Sequence, residues 1–292
     1  MAKSNRPNVY ERVTAKILAQ LAEGTVPWHK PWAEQFLPMS MSTGKPYRGV
    51  NVWMLDGGYW GTFNRIKEEG GMVRKGEKSS LAVFWKFIDS VDEKTGETKK
   101  VPLLRSFNVF HTSQADWPDG LPEKFQPAKG GATEADRIAA AEQIITDYRK
   151  SEGAPRFSEG GDRACYYPQR DEIVVPDLTA FHDIGSRYST IFHEMGHSTG
   201  AASRLNREGV VNFDAFGSHQ YGIEELVAEM TAAMLCGVAG VEGTFEASAS
   251  YIDSWMRRIK EDDRMVVKAA GQAQRAADLI LGVKWEKPED EW

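Results

Sequence analysis

His193, Glu194 and His197 stand in the string IFHEMGHSTG (Ile191–Gly200) at the spacing His-Glu-x-x-His. Those residue types at that spacing can hold a divalent metal and direct water chemistry at it. On an α-helix, residues four apart are rotated by only about 40° and raised by about 6 Å, so the two imidazoles leave one face toward one point. Zn²⁺ takes imidazole nitrogen at about 2.0–2.1 Å and in catalytic sites keeps a fourth position open for water. Glu194 is turned about 100° round the helix from His193 and is placed to work on that water rather than to ligate. The predicted chemistry is peptide-type hydrolysis, with Glu194 as the catalytic group that takes the proton and delivers it to a leaving amine. Mn²⁺, Fe²⁺ or Co²⁺ would also suit a His/His/carboxylate set.

Such a site needs a third protein ligand, and the string IEELVAEM (Ile223–Met230) supplies Glu224, Glu225 and Glu229. Glu225 and Glu229 share a helix face, whereas Glu224 is expected to project elsewhere, with Leu226, Met230 and Ala233 on the packing side. Glu225 is predicted as the metal ligand together with His193 and His197. Glu229 is then the residue that accepts an N–H from a ligating histidine, or itself the alternative ligand. Tyr221 and His219, just before this helix, are candidates for stabilising an oxyanion.

The elements that would carry these residues can be read from periodicity. Helices are expected over Asn8–Glu23, Thr62–Glu69, Thr133–Lys150, Ser186–Thr199 and Ile223–Gly237, with two more in Glu246–Gly282. For the His-Glu-x-x-His helix, Ser186 reads as N-cap and Gly200 as the residue past the C-terminus. Val26–Val50 reads as irregular structure packed by aromatics. Ser80–Ile88 and Leu103–His111, joined by Asp92–Thr98, read as a hairpin, and Asp171–Pro176 as a short strand. The Pro/Gly-rich stretch Asp116–Ala132 places a domain join at 128, and the acidic tail from Glu286 reads as solvated. The fold class is α+β: a mixed α/β domain over residues 1–128 and a mostly helical one over residues 129–292.

Composition separates these halves. The net charge of -6 over 292 residues conceals 18 Lys and Arg against 14 Asp and Glu in residues 1–128, or +4, and 18 against 28 in the remainder, or -10. The first half interleaves aromatics (Trp28, Trp32, Tyr47, Trp53, Tyr59, Trp60, Phe63, Trp85, Trp117) with cations (Lys30, Lys45, Arg48, Arg65, Lys67, Arg74, Lys75, Lys78). Single-stranded nucleic acid is gripped by such pairings of stacking platforms and phosphate-tracking charge. Lys45, Tyr47, Arg48, Arg74, Lys75 and Lys78, in turn-like segments, are the predicted DNA-binding residues. No helix-turn-helix, zinc-finger or RRM signature points to sequence readout. The N-terminus lacks a secretory h-region, and no apolar run approaches a membrane span, so a soluble, cytoplasmic protein without a membrane partner is expected. Cys165 and Cys236 form no CxxC and read as buried apolar fillers.

FHEMGHSTGAASRLNR (Phe192–Arg207) followed by YGIEELVAEMTAAML (Tyr221–Leu235) resembles the zincin-like domain of plasmid antirestriction proteins of the ArdC type. VPWHKPW (Val26–Trp32), GKPYRGVNVWML (Gly44–Leu55), YWGTFNRI (Tyr59–Ile66), VRKGEKS (Val73–Ser79) and SFNVFHTSQ (Ser106–Gln114) extend the resemblance over almost the whole chain. It implies an N-terminal single-stranded-DNA-binding domain, a C-terminal metallopeptidase-like domain and protection of incoming plasmid DNA from host restriction during conjugation. The family also includes the N-terminal part of TraC-type primases. In zincins at large the ligand helix reads Glu-x-x-x-Asp/Asn; mapped here, Glu225 binds zinc and Glu229 orients a histidine. The final residue departs from that pattern, so both assignments for Glu229 stay open. Three functions are then in contention: a shield for single-stranded DNA, a DNA-recruited protease acting on a host restriction-system protein, and a DNA-binding protein with a structural zinc clip.

Overall fold

The computed structural model describes residues 7–30, 37–91, 98–126, 132–212, 219–243 and 249–284. Helix α1 (Val9–Ala22) starts on a capping box: the Asn8 side chain accepts from Glu11 N at 3.0 Å, and the Glu11 carboxylate accepts from Asn8 N at 2.8 Å. Both exchanges satisfy amides that the helix itself cannot. Val13, Ile17 and Leu21 form its buried stripe, as the spacing predicts.

Strand β1 (Pro38–Ser40), helix α2 (Asn51–Met54), strand β2 (Gly58–Gly61), helix α3 (Phe63–Glu68) and strand β3 (Met72–Val73) lead to the long pair β4 (Ser80–Val91) and β5 (Thr98–His111), closed by β6 (Ala115–Asp116). The main sheet runs β1-β2-β5-β4, with β1 parallel to β2 and the remaining pairs antiparallel. The hairpin is longer than its apolar text predicts, because ladder bonds between backbones persist through Asp89↔Lys100 and Ser90↔Lys99 regardless of side-chain polarity. Its predicted turn, Asp92–Thr98, falls outside the described residues apart from Thr98. Strand β1 sits within the stretch expected to be irregular. The Asn51 side chain pairs with β4 like an extra residue, donating to Val83 O at 2.7 Å and accepting from Val83 N at 2.8 Å. That exchange pins α2 to the hairpin.

The second half contains α4 (Glu134–Lys150), β7 (Arg156–Glu159), β8 (Cys165–Tyr167), β9 (Glu172–Val175), α5 (Ile184–Ser198), α6 (Glu208–Val211), α7 (His219–Ala239), α8 (Ala249–Glu261) and α9 (Met265–Ile280). Strand β9 is central in a small sheet, parallel to β7 and antiparallel to β8. Strands β7 and β8 were not predicted; Arg156–Glu159 and Cys165–Tyr167 are too short and polar to show a period of two. Cys165 lies on β8, half-buried, rather than as core filler, whereas Cys236 is fully buried in α7.

The two halves share one core. Val13, Ile17, Trp28 and Trp53 cluster with Leu226, Met230, Trp255, Ile259 and Val266. The Trp28 and Trp255 rings meet edge-to-face at 5.2 Å, Thr14 Oγ1 donates to Asp263 O at 2.7 Å, and Gly49 N donates to Gln274 Oε1 at 2.9 Å. Helix α8 and helix α9, which packs on α7, thus meet the amino-terminal part of the chain directly. No helix among the described residues is long and apolar enough to cross a membrane.

Candidate metal centre

Helix α5 presents His193, Glu194 and His197. Its N-cap is Asp183, which accepts from Ser186 N at 2.8 Å; Ser186, predicted as the cap, instead returns its hydroxyl to Asp183 O at 2.7 Å. An aspartate here also places negative charge at the helix's positive end. Gly200 does not end the helix through a left-handed conformation, because it has no positive φ. It is needed for space: a Cβ there would lie 2.5 Å from Val210 Cγ2 and 3.0 Å from an Arg207 guanidinium nitrogen. Gly196 has the same role toward α7, since its Cβ would lie 3.2 Å from Ala228 Cα. The glycine inside the motif lets the two helices touch and carries the acids of α7 to the histidines.

His193 Nε2 and His197 Nε2 are 3.0 Å apart with their rings edge to face, and Glu225 completes the cluster, Oε2 at 3.5 Å from His193 Nε2 and Oε1 at 3.5 Å from His197 Nε2. These three residues form the group among the described residues whose ligand atoms, all within 4.8 Å of one another, could hold a metal ion. His197 Nδ1 faces Glu224 Oε1 at 3.2 Å. A carboxylate can only accept, so Nδ1 carries the hydrogen and Nε2 offers its lone pair toward His193 and Glu225. The donor set fits a divalent cation: the Nε2 atoms of two imidazoles and one carboxylate converge, and Glu224 fixes the tautomer of His197 from behind. Burial alone would lower the His193 pKa, but the Glu225 hydrogen bond and the charges of Glu194, Glu229 and Glu225 outweigh it and bring the group to about 9. The same charges favour any cation at that point.

Glu224 is what the sequence reading misplaced. Rather than projecting elsewhere, it is buried against His197 and held by Arg207, whose Nε reaches Glu224 Oε2 at 2.8 Å and whose Nη2 reaches Oε1 at 2.6 Å. Arg207 also donates to Thr199 Oγ1 at 2.6 Å and to Gly196 O at 2.8 Å, tying α7 to the end of α5. Burial pushes the Glu224 carboxyl up, yet the hydrogen bonds from Arg207 and His197 hold it below the ordinary carboxylate range. The available signal was a second acid beside Glu225 in an otherwise apolar helix, together with an arginine shortly after the histidines. Glu229, read as the histidine's partner or alternative ligand, has Oε2 at 3.7 Å from His29 Nε2, and the Nδ1 of His197 is taken by Glu224.

Strand β8 supports the remaining acid: Tyr166 N donates to Glu194 Oε2 at 2.6 Å. Tyr166 is fixed in turn by its hydroxyl to Asp171 Oδ1 at 2.8 Å, and Arg204 binds both Asp171 and Ser198 O. The backbones of His219 and Tyr221 open α7, but their side chains lie outside the described residues.

The predicted DNA-binding residues divide. Lys45, Lys75 and Lys78 are exposed. Arg48 forms an ion pair with Asp278 of α9, and Tyr47 is half-buried, which drives its phenol up to about 12 despite a Ser40 hydrogen bond. Arg74 is engaged by Glu77 at 3.0 Å and Ser113 O at 2.5 Å. Among the aromatics, Trp28, Trp53 and Trp60 are core, whereas Phe63 and Trp85 are 53% and 48% exposed.

Comparison with known proteins agrees with both halves. Residues 7–110 match the N-terminal domain of anti-restriction factor ArdC, and residues 140–272 match a zincin-like metallopeptidase family. The crystal structure of the antirestriction ArdC protein from plasmid R388 in metal-free form superposes with a TM-score of 0.75 at 37% identity, covering 94% of this chain and 97% of that one. Its Mn(II)-bound form gives 0.73 at 35% identity, covering 94% and 98%. Protein y4eC of Sinorhizobium fredii (strain NBRC 101917 / NGR234) is 33% identical over 94% of this chain and 91% of its own length. DNA primase TraC of Escherichia coli is 32% identical over 96% of this chain, which spans only 20% of that primase. With both halves matched in order and nearly the full length of ArdC covered, the chain belongs to the ArdC family of antirestriction proteins.

Proposed function

We propose that this protein binds single-stranded DNA through its amino-terminal half, carries a divalent-metal peptidase-type site in its carboxy-terminal half, and protects incoming plasmid DNA from host restriction. The observation that carries the reading is the convergence of His193, His197 and Glu225 beside Glu194 in a chain of the ArdC family. The Mn(II)-bound relative supports a divalent ion, with Zn²⁺ the ion that the donor set suits best. When bound by His193, His197 and Glu225, the ion supplies electrophilic activation of a carbonyl and acidifies a water. Glu194 then holds the proton. Its Oε2 is engaged by the Tyr166 amide, which orients the carboxylate and leaves Oε1 to take a proton from the attacking water and return it to the leaving amine. Glu225 is the proposed third ligand, and Glu224 the group that fixes His197 from behind.

Glu194→Gln keeps the size and the Tyr166 contact but cannot accept that proton. Metal content and single-stranded-DNA affinity should match the unsubstituted protein, while any peptide hydrolysis falls by about 10²–10⁴-fold, the usual contribution of a positioned acid/base. Plating efficiency of restricted DNA in cells carrying the variant then decides between uses of the site. Loss of protection assigns proteolysis, with a host restriction component as substrate, to the antirestriction role. Retained protection assigns that role to DNA shielding.

On the DNA side, exposed Lys45, Lys75 and Lys78 are the proposed phosphate contacts, with Trp85 and Phe63 as exposed rings able to stack. Affinity for a single-stranded oligonucleotide should fall linearly on a log–log plot against salt. Each lysine removed to alanine should lower the slope by about 0.7 if it contacts a phosphate. Gel shifts across a salt series read this directly, and an unchanged slope in Lys75→Ala/Lys78→Ala would place the interface elsewhere.

A further inference from the structure

The third acid of α7 is held from the other half of the molecule. Glu229 lies one helical turn beyond Glu225, on the same face of α7. Its charge is already felt at His193. Yet Glu229 stands outside the metal-ligating cluster, and its Oε2 is buried without a hydrogen bond, 3.7 Å from His29 Nε2. A buried carboxylate oxygen in that condition is drawn toward whatever positive group is nearest. The candidates are the metal position on one side and the His29 imidazole on the other.

His29 is set there by its neighbours. Trp28 is fully buried and stacked edge-on against Trp255 of α8. Lys30 Nζ donates to Leu55 O at 2.5 Å and faces Asp56 Oδ1 at 3.5 Å. His29 N is itself bonded to Val26 O at 3.0 Å. With residues on both sides anchored, the imidazole cannot follow Glu229 if that side chain moves toward the histidines of α5. The contact therefore works as a tether on the acid.

We propose that His29 is a positioning residue that keeps Glu229 off the metal, so that the centre has three protein ligands and retains a position for water. Four protein ligands close a site and make it structural, whereas three plus water make it catalytic. The amino-terminal half thereby decides which kind of metal centre the carboxy-terminal half builds. This inference rests on the metal reading above and deepens it.

The test uses the full chain loaded with Mn(II) alone, with water-proton relaxation reporting exchangeable water on the ion and a competing chelator giving the Kd. In His29→Ala, Glu229 should join the ion: relaxation enhancement falls, and the Kd tightens by on the order of tenfold, the scale on which groups around a metal act. His29→Gln restores an N–H beside Glu229 and should behave as the unsubstituted protein. In His29→Ala/Glu229→Ala the enhancement should return, because the acid that displaced the water is gone. Glu229→Ala alone should change the Kd by less than about twofold if Glu229 is not a ligand at the start. Should the unsubstituted protein bind no Mn(II) or Zn(II), the metal reading itself falls. If it binds but His29→Ala keeps full enhancement, or Glu229→Ala alone abolishes binding, the role assigned to His29 is overturned. Where His29→Ala does not fold, as judged by circular dichroism, Glu229→Ala and His29→Gln decide: both unchanged in Kd and relaxation supports the tether, and a shift in either overturns it.

Discussion

Arg207→Ala is expected to destabilise the protein by about 3–5 kcal/mol, the cost of breaking a buried ion pair from one side. Arg207 and Glu224 are both almost wholly buried, and the guanidinium meets the carboxylate through two nitrogens, at 2.8 and 2.6 Å. Alanine removes the guanidinium charge and leaves the carboxylate facing the His197 Nδ1. At the end of α5, Thr199 Oγ1 and Gly196 O lose their guanidinium contacts as well, although Thr199 Oγ1 still donates to Gly196 O. Urea unfolding followed by circular dichroism measures the loss as a shift in midpoint at constant slope.

The pH dependence carries the sign of the effect. In the intact protein the Glu224 carboxyl titrates below the ordinary glutamate value of 4.5, so its contribution is complete above that value and is lost as pH falls through the lower, folded value. Without Arg207 the burial contribution, which raises the group, is left opposed only by His197. A buried carboxyl whose pKa is raised is least costly when protonated, so the variant recovers stability as pH falls. The gap between the two proteins should therefore be widest near pH 8 and narrow on acidification. A gap that stayed constant or widened would mean that Arg207 acts through packing rather than through Glu224. Metal affinity offers an independent readout: Glu224 fixes the His197 tautomer, and disturbing it should weaken binding on the order of 10–100-fold.

How far the sequence could be read depended on whether a residue's role is local. The His-Glu-x-x-His spacing is set by one helix, so the shared face of His193 and His197 was legible before any fold was known, whereas the phase of the next helix put Glu225 and Glu229 on one face and left the choice between them open. The hairpin β4–β5 and the stripe of α1 were visible for the same reason: periodicity records which face is buried. What escaped depends on contacts between distant segments. Glu224 sits one residue from Glu225, and its direction is decided by Arg207 on another loop. Arg48 and Tyr47 look like surface residues in a turn, but Arg48 reaches Asp278 of α9 and Tyr47 packs against Leu55, Trp60, Ala82 and Val109. Gly200 looked like a helix terminator by type, although its φ is not positive and it is the proximity of Val210 and Arg207 that requires a glycine. The strands β7 and β8 were invisible because three or four residues show no period, even though Tyr166 in one of them holds Glu194.

The same distinction makes Gly196→Val the second substitution with a large expected effect. By helix propensity alone, replacing a mid-helix glycine by alanine gains about 1 kcal/mol. Against that stands a crossing in which a Cβ at position 196 would lie 3.2 Å from Ala228 Cα, 3.2 Å from Thr231 Cβ and 3.3 Å from Ala228 O. Two of those atoms are backbone and cannot turn away, so α5 and α7 must separate. Alanine meets them with one carbon and should come out near neutral, with propensity and crowding opposed. Valine adds two methyl groups to the same contact, and overpacking of this kind costs about 1–3 kcal/mol. The larger consequence falls on the metal. Glu225 lies on α7 three residues, close to one turn, before Ala228, so moving the helix away draws the carboxylate from the 3.5 Å it keeps to His193 and His197. A ligand displaced by about 1 Å lies beyond the tolerance of about 0.5 Å that a functional constellation allows. Zn(II) or Mn(II) affinity of Gly196→Val should drop by at least tenfold while Gly196→Ala stays close to the parent, as read by chelator competition on folded protein. Equal affinities for all three would show that the acids of α7 reach the histidines without the close crossing, and that the glycine within the motif has no part in building the centre.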